Sequence, residues 1–180
     1  VISSFVVTLQ IAIVVILGAA VWGKVSSARA RSEFRSFVAT IVRERRAVSI
    51  VAPSLVMAEA LAGAALLTPA TVPIGFMLST GLFAAFSVII LSLIRRGREI
   101  ACSCFGSRGA APMGRPHLVR AVALSLAAAS CLVTTLLGVT ISFDDYVTPV
   151  PWVGGLALAL VSIRIEDVAY VFGRPEQTAK

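Results

Sequence analysis

Ile74–Ile94, IGFMLSTGLFAAFSVIILSLI, carries no charge and stops against Arg95-Arg96-Gly97-Arg98. An uninterrupted apolar run of about 20 residues is what a helix needs to cross a hydrocarbon core about 30 Å thick. Comparable runs recur on either side, at Ser3–Trp22, Val48–Leu67 and Leu118–Ile141. A shorter run from Val150 to Ile163 either continues through Arg164 toward Phe172 or lies partly in the interface. With 58% hydrophobic and 14% charged residues, and a mean hydropathy of +0.94, the chain lies outside the range of soluble domains. The fold expected is an all-α, polytopic membrane bundle of about five transmembrane helices, four of full length and one marginal. Residues 1–172 form one membrane domain, followed by a cytoplasmic tail at 173–180.

The charges orient these spans. Lys24, Arg29, Arg31, Arg35, Arg43, Arg45 and Arg46 lie between the first and second runs, and Arg95, Arg96, Arg98, Arg108 and Arg115 between the third and fourth. Arg164, Arg174 and Lys180 follow the fifth, and Arg120 sits just inside the fourth at its basic end. Of the other two connections, Thr68–Pro73 is uncharged and Thr140–Pro149 holds Asp144 and Asp145. Basic residues collect on the cytoplasmic side. The pattern therefore predicts a multi-pass protein of the plasma (inner) membrane with its N-terminus outside and its C-terminus in the cytoplasm. Four spans would break the alternation, so the charges support the short fifth one. The first run lacks the positive n-region of a signal peptide and is longer than a usual h-region. The net charge of +7 has the same topological origin, and no basic stretch is interleaved with stacking aromatics, which argues against nucleic acid.

Ser32–Arg46 is more than a loop. Phe34, Phe37, Val38 and Ile41 recur at helical spacing while Arg35, Arg43 and Arg45 point elsewhere. The segment reads as an interfacial amphipathic helix on the inner leaflet, its arginines near anionic headgroups, or else as a short cytoplasmic hairpin.

The chemistry-bearing residues are few. Cys102-Ser103-Cys104-Phe105-Gly106 places two thiols one residue apart, just past an apolar run and among arginines. Such a pair can close a small, strained and labile disulfide, hold a soft metal or exchange with another thiol. The plain alternative is two small residues at a tight turn. Neighbouring Arg95, Arg96, Arg98 and Arg108 favour thiolate over thiol. Cys131 lies about 20 Å along its helix from the basic end, at 1.5 Å per residue, and reads as a small buried hydrophobe.

Glu59 sits in the middle of the second run, where an ionised carboxylate costs about 3 kcal/mol. It should face the bundle interior, either as a proton or cofactor partner or in a structural hydrogen bond to a Ser or Thr. His117 is the only histidine, and its spacing to the cysteines matches no standard metal site. Trp22 and Trp152 read as interfacial anchors, and Lys24 as a side chain snorkelling to the headgroups.

Together these features resemble the MauE family of methylamine-utilisation membrane proteins, distantly related to DoxX-type proteins. The stretch Arg95-Arg96-Gly97-Arg98-Glu99-Ile100-Ala101-Cys102-Ser103-Cys104-Phe105-Gly106 carries the likeness best. The following helix opens with Leu118-Val119-Arg120, the preceding one holds Glu59, and Lys24 follows the first. The resemblance covers roughly residues 10–140. It departs at Ser103, where Gly is common, and at Ala121, where Asn is usual. It implies redox-linked membrane chemistry in maturation of a disulfide-rich client, in that family the methylamine dehydrogenase small subunit, beside a thioredoxin-like partner.

Three functions compete at this point. The first is thiol–disulfide exchange or electron transfer through Cys102 and Cys104, to or from a partner protein or a membrane carrier, with no cofactor fixed and quinone use left open. Its difficulty is that the pair falls on the side where thiols are kept reduced. The others are a non-catalytic docking protein, in which the thiol pair is a turn, and a small transporter using Glu59.

Overall fold

The computed structural model of the 180-residue chain describes residues 2–42, 44–97, 115–139 and 143–164. Cys102, Cys104 and the expected tail at 173–180 lie outside them. Among the described residues the elements run α1 (Ile2–Val25), α2 (Ala28–Ile41), α3 (Arg45–Leu67), α4 (Val72–Arg95), α5 (Arg115–Leu136), α6 (Phe143–Val147) and α7 (Pro149–Ile163), with one 3-10 turn at Pro69–Thr71. Four helices, α1, α3, α4 with its preceding turn, and α5, are long and apolar enough to cross a membrane. The result is an all-α bundle with the multi-pass architecture of a membrane protein.

α1 is the hub. Half of its most apolar window is buried, against 22% for each of the other three long helices. Its Ala12, Ile13, Ile16 and Leu17 share one core with Ala62 and Leu66 of α3, Phe76 and Phe83 of α4, Ala128 and Cys131 of α5 and Ala159 of α7. Completely buried Ala62, Ala128 and Ala159 let these helices approach closely. The remaining apolar faces of α3, α4 and α5 are exposed, as lipid contact requires.

Several hydroxyls within the spans are satisfied by their own helix. Ser79 donates to Gly75 O and Thr80 to Phe76 O, each at 2.8 Å, so no water is needed at that depth.

The α3–α4 hairpin is set by small residues and proline. Pro69 opens the 3-10 turn, Thr71 Oγ1 donates to Ala65 O at 2.8 Å, and a second proline begins α4. A Cβ at Gly75 would lie 2.8 Å from both the Leu66 backbone N and its side chain, so only glycine permits this approach.

Three expectations need correction. The amphipathic helix spans Ala28–Ile41 rather than Ser32–Arg46, because the Ser27 side chain caps it earlier and Val42 turns extended. Its Phe34, Phe37 and Val38 are buried against Ala52 of α3 and Leu93 of α4, so the apolar face rests on protein instead of lipid. Lys24 is 2% exposed and does not snorkel. Side chains lean toward the N-terminus of their own helix, and at the C-terminal end of α1 that direction leads into the bundle. The short fifth run forms α7, which parallels α1 but ends its described helix at Ile163.

Candidate functional site

Lys24 and Glu59 form an ion pair inside the bundle. Lys24 Nζ lies 2.5 Å from Glu59 Oε1 and 2.6 Å from Oε2, and both residues are 2% exposed. The antiparallel course of α1 and α3 makes the contact. Lys24 leans back along α1 and Glu59 leans toward the start of α3, so the two side chains point at each other. Phe34 of α2 and Phe86 of α4 complete the enclosure, with their ring centres 5.3 and 5.6 Å from Lys24 Nζ. Four elements thus meet at one ammonium group.

Arg120 of α5 is also buried. Ser125 Oγ of α5 donates to Thr80 O of α4 at 3.4 Å, which sets the register of these antiparallel neighbours. Counting from Ser125 back to Arg120, and equally far forward from Thr80, reaches Ala85, the neighbour of Phe86. Arg120 therefore sits at the depth of the ring that faces Lys24. Lys24, Glu59 and Arg120 are the buried charged residues among those described, and all lie toward the basic end of the bundle.

Glu59 takes the interior position that its charge demands, with a lysine as its partner. The sequence reasoning considered a Ser or Thr there and missed the pairing. The available signal was the helical stagger of two opposite charges on consecutive spans. Cys131 is 1% exposed within the main core. His117 occupies the first turn of α5 and is half-buried. Among the described residues no group of three or more His, Cys, Asp or Glu is close enough to hold a metal.

A second polar cluster went unread in the sequence. Gln10, 4% exposed, donates from Nε2 to Leu66 O at 2.5 Å and accepts from the Tyr146 hydroxyl at 3.0 Å. Trp152 Nε1 donates to Tyr146 O, and Ser3 Oγ to Asp145 Oδ1. A lone amide within a span was the signal. These bonds fasten α6 over the N-terminal end of α1, opposite the Lys24–Glu59 pair.

The chain that carries this arrangement has a counterpart among known protein families. A family model described as methylamine utilisation protein MauE matches residues 2–134, which takes in α1 through most of α5. No curated protein and no solved structure matches. The chain belongs to the MauE family, and with its long apolar helices it is a multi-pass membrane protein of methylamine utilisation.

Proposed function

We propose, taking membership of the MauE family as the premise, that this protein is the membrane-embedded thiol–disulfide component in maturation of a disulfide-containing client. The observation that carries the proposal is Cys102-Ser103-Cys104-Phe105-Gly106 in the connection between α4 and α5. In one turnover the thiolate of one cysteine attacks a disulfide of a thioredoxin-like partner, giving a mixed disulfide and a partner thiolate. The second cysteine attacks the mixed disulfide and releases the partner as a dithiol. Two electrons and two protons leave the Cys102–Cys104 dithiol for the partner, and the pair is left as a disulfide. The reverse sequence oxidises the partner. The exposed Arg95 and Arg96 at the end of α4 and Arg115 at the start of α5 flank this connection and favour its thiolates.

The Lys24–Glu59 pair has a positioning role in this reading. It ties α1 to α3 and, through the Phe86 ring, sets the height of α4, from which the thiol connection departs. A carboxylate held by a lysine supports positioning over a proton shuttle. The basic end faces the cytoplasm by the charge rule.

Alkylation trapping in intact cells tests the proposal. Cys102→Ser and Cys104→Ser should each accumulate a mixed disulfide or lose client maturation, while Cys131→Ser behaves nearly as wild type. Thiols that stay reduced throughout, together with full maturation in the double variant, would leave the connection a structural turn and the protein a docking partner.

A further inference from the structure

The geometry of α2 and α3 points to a phosphate-binding groove on the basic end of the bundle, whose occupant is the headgroup of an anionic phospholipid. The groove has a volume of about 420 Å³ and runs between the outer side of α2 and Val48 in the first turn of α3. Arg31 and Arg35, one helical turn apart, line it with Ser32 and Ser36, also one turn apart. Among the described residues no carboxylate lines it.

The charges of α2 are divided between two sides. Arg29 is not among the residues that line the groove and is neutralised by Glu33, with Nε 2.8 Å from Oε1. Arg31 is held at the groove by donating from Nη1 to Val25 O at 2.9 Å, which leaves its other donors available. Arg35 makes no ion pair with any described carboxylate. Two like charges at this spacing repel each other, and an anion between them removes that repulsion. Planar guanidinium forks with adjacent hydroxyl donors match the oxygens of a phosphate group.

The frame around the groove is fixed. Phe34, Phe37 and Val38 anchor the opposite side of α2 to α3 and α4, so the arginines are presented from a docked helix. α2 lies where α1 ends and α3 begins, which is the depth of the headgroups for helices of this length. Ala28, Ala39 and Val48 add an apolar lining that suits the glycerol end of a lipid and gives nothing to a free ion.

The test uses the full chain purified in detergent and native mass spectrometry with phosphatidylglycerol, phosphatidylcholine of the same acyl chains, or inorganic phosphate alone. Wild type should retain phosphatidylglycerol over phosphatidylcholine. Replacing both Arg31→Gln and Arg35→Gln should weaken that retention about tenfold or more, since two charge-assisted contacts are lost. Ser36→Asp, which brings a carboxylate into the groove, should do the same, and Arg29→Gln should leave retention unchanged. Melting temperatures of all variants establish that each is folded.

If inorganic phosphate binds alone through the same two arginines and displaces the lipid, the groove recognises phosphate and the lipid is not its source. Equal losses for Arg29→Gln and the double variant would mean only general charge attraction, and would overturn the site. Retention that survives both the double variant and Ser36→Asp would overturn it as well.

Discussion

A lysine and a glutamate that share two hydrogen bonds out of water are each other's only means of remaining charged at low cost. Removing one partner strands the other, at a cost of about 3–5 kcal/mol. Lys24→Met or Glu59→Leu alone should therefore destabilise the bundle by that order, while the two together lose much less than the sum. Glu59→Gln should fold better than Glu59→Lys, which sets two ammonium groups side by side beneath Phe34 and Phe86. Thermal melting of the purified variants in one detergent checks the cycle, and simple additivity would show that the pair is not coupled. The interior place of Glu59 was legible because a mid-span carboxylate has few affordable positions. The place of Lys24 was not, since a lysine at a helix end suits headgroups and partners equally well, and only the helix stagger decides between them. Gln10 escaped notice because its two partners, Leu66 O and Tyr146, come from distant segments.

At the scale of elements, the long helices were readable from apolar length alone, whereas helix ends depended on caps. The Phe34, Phe37 and Val38 periodicity revealed α2, but its start is set by Ser27, whose side chain accepts from Ala30 N at 3.0 Å. Which surface those phenylalanines cover is not written in their spacing, because lipid and a neighbouring helix are both apolar. The α1–α7 contact was equally hidden, since it rests on a glycine pair whose partner lies far away in sequence. A Cβ on Gly155 would meet Thr8 O at 2.7 Å and Ile11 Cβ at 2.9 Å. A Cβ on Gly154 would come no nearer than 3.2 Å, to a methyl group of Thr8. Gly155→Ala should thus cost about 1–3 kcal/mol by forcing α7 off α1, and Gly154→Ala clearly less. Gly81→Ala, which meets nothing within 4 Å, should be neutral or stabilising by about 0.5–1 kcal/mol. Melting curves of the three variants rank them, and a Gly155→Ala protein as stable as Gly81→Ala would show that α7 is not tightly docked.

For the whole molecule, the two ends of the bundle differ in a way that ties topology to function. Bonds from Gln10 and Ser3 bring the α3–α4 hairpin and α6 to the N-terminal end of α1, the end that holds Asp145. The opposite end gathers α2, Arg45, Arg95 and Arg115, and the connection that carries Cys102 and Cys104 leaves from there. The sequence predicted this segregation because the charge rule acts on connections, which need no tertiary information. What it left open is whether α7 completes the fifth crossing. From Pro149 to Ile163 α7 has 15 residues, about 22 Å at 1.5 Å per residue, against a core of about 30 Å. Local thinning, snorkelling of flanking residues or a span extended past Arg164 would each close that gap, since each ångström of mismatch costs only a fraction of a kcal/mol. Reporter fusions decide the matter. Fusions after Pro73 and Pro149 should report the outside, those after Arg46 and Gly109 the cytoplasm, and one after Arg164 the cytoplasm as well. An external signal after Arg164, with the other four as expected, would confine α7 to the outer side and leave four crossings. A cytoplasmic signal after Pro149 would go further. With the Gly109 fusion also cytoplasmic, α5 would not cross, and the five-span arrangement would fail.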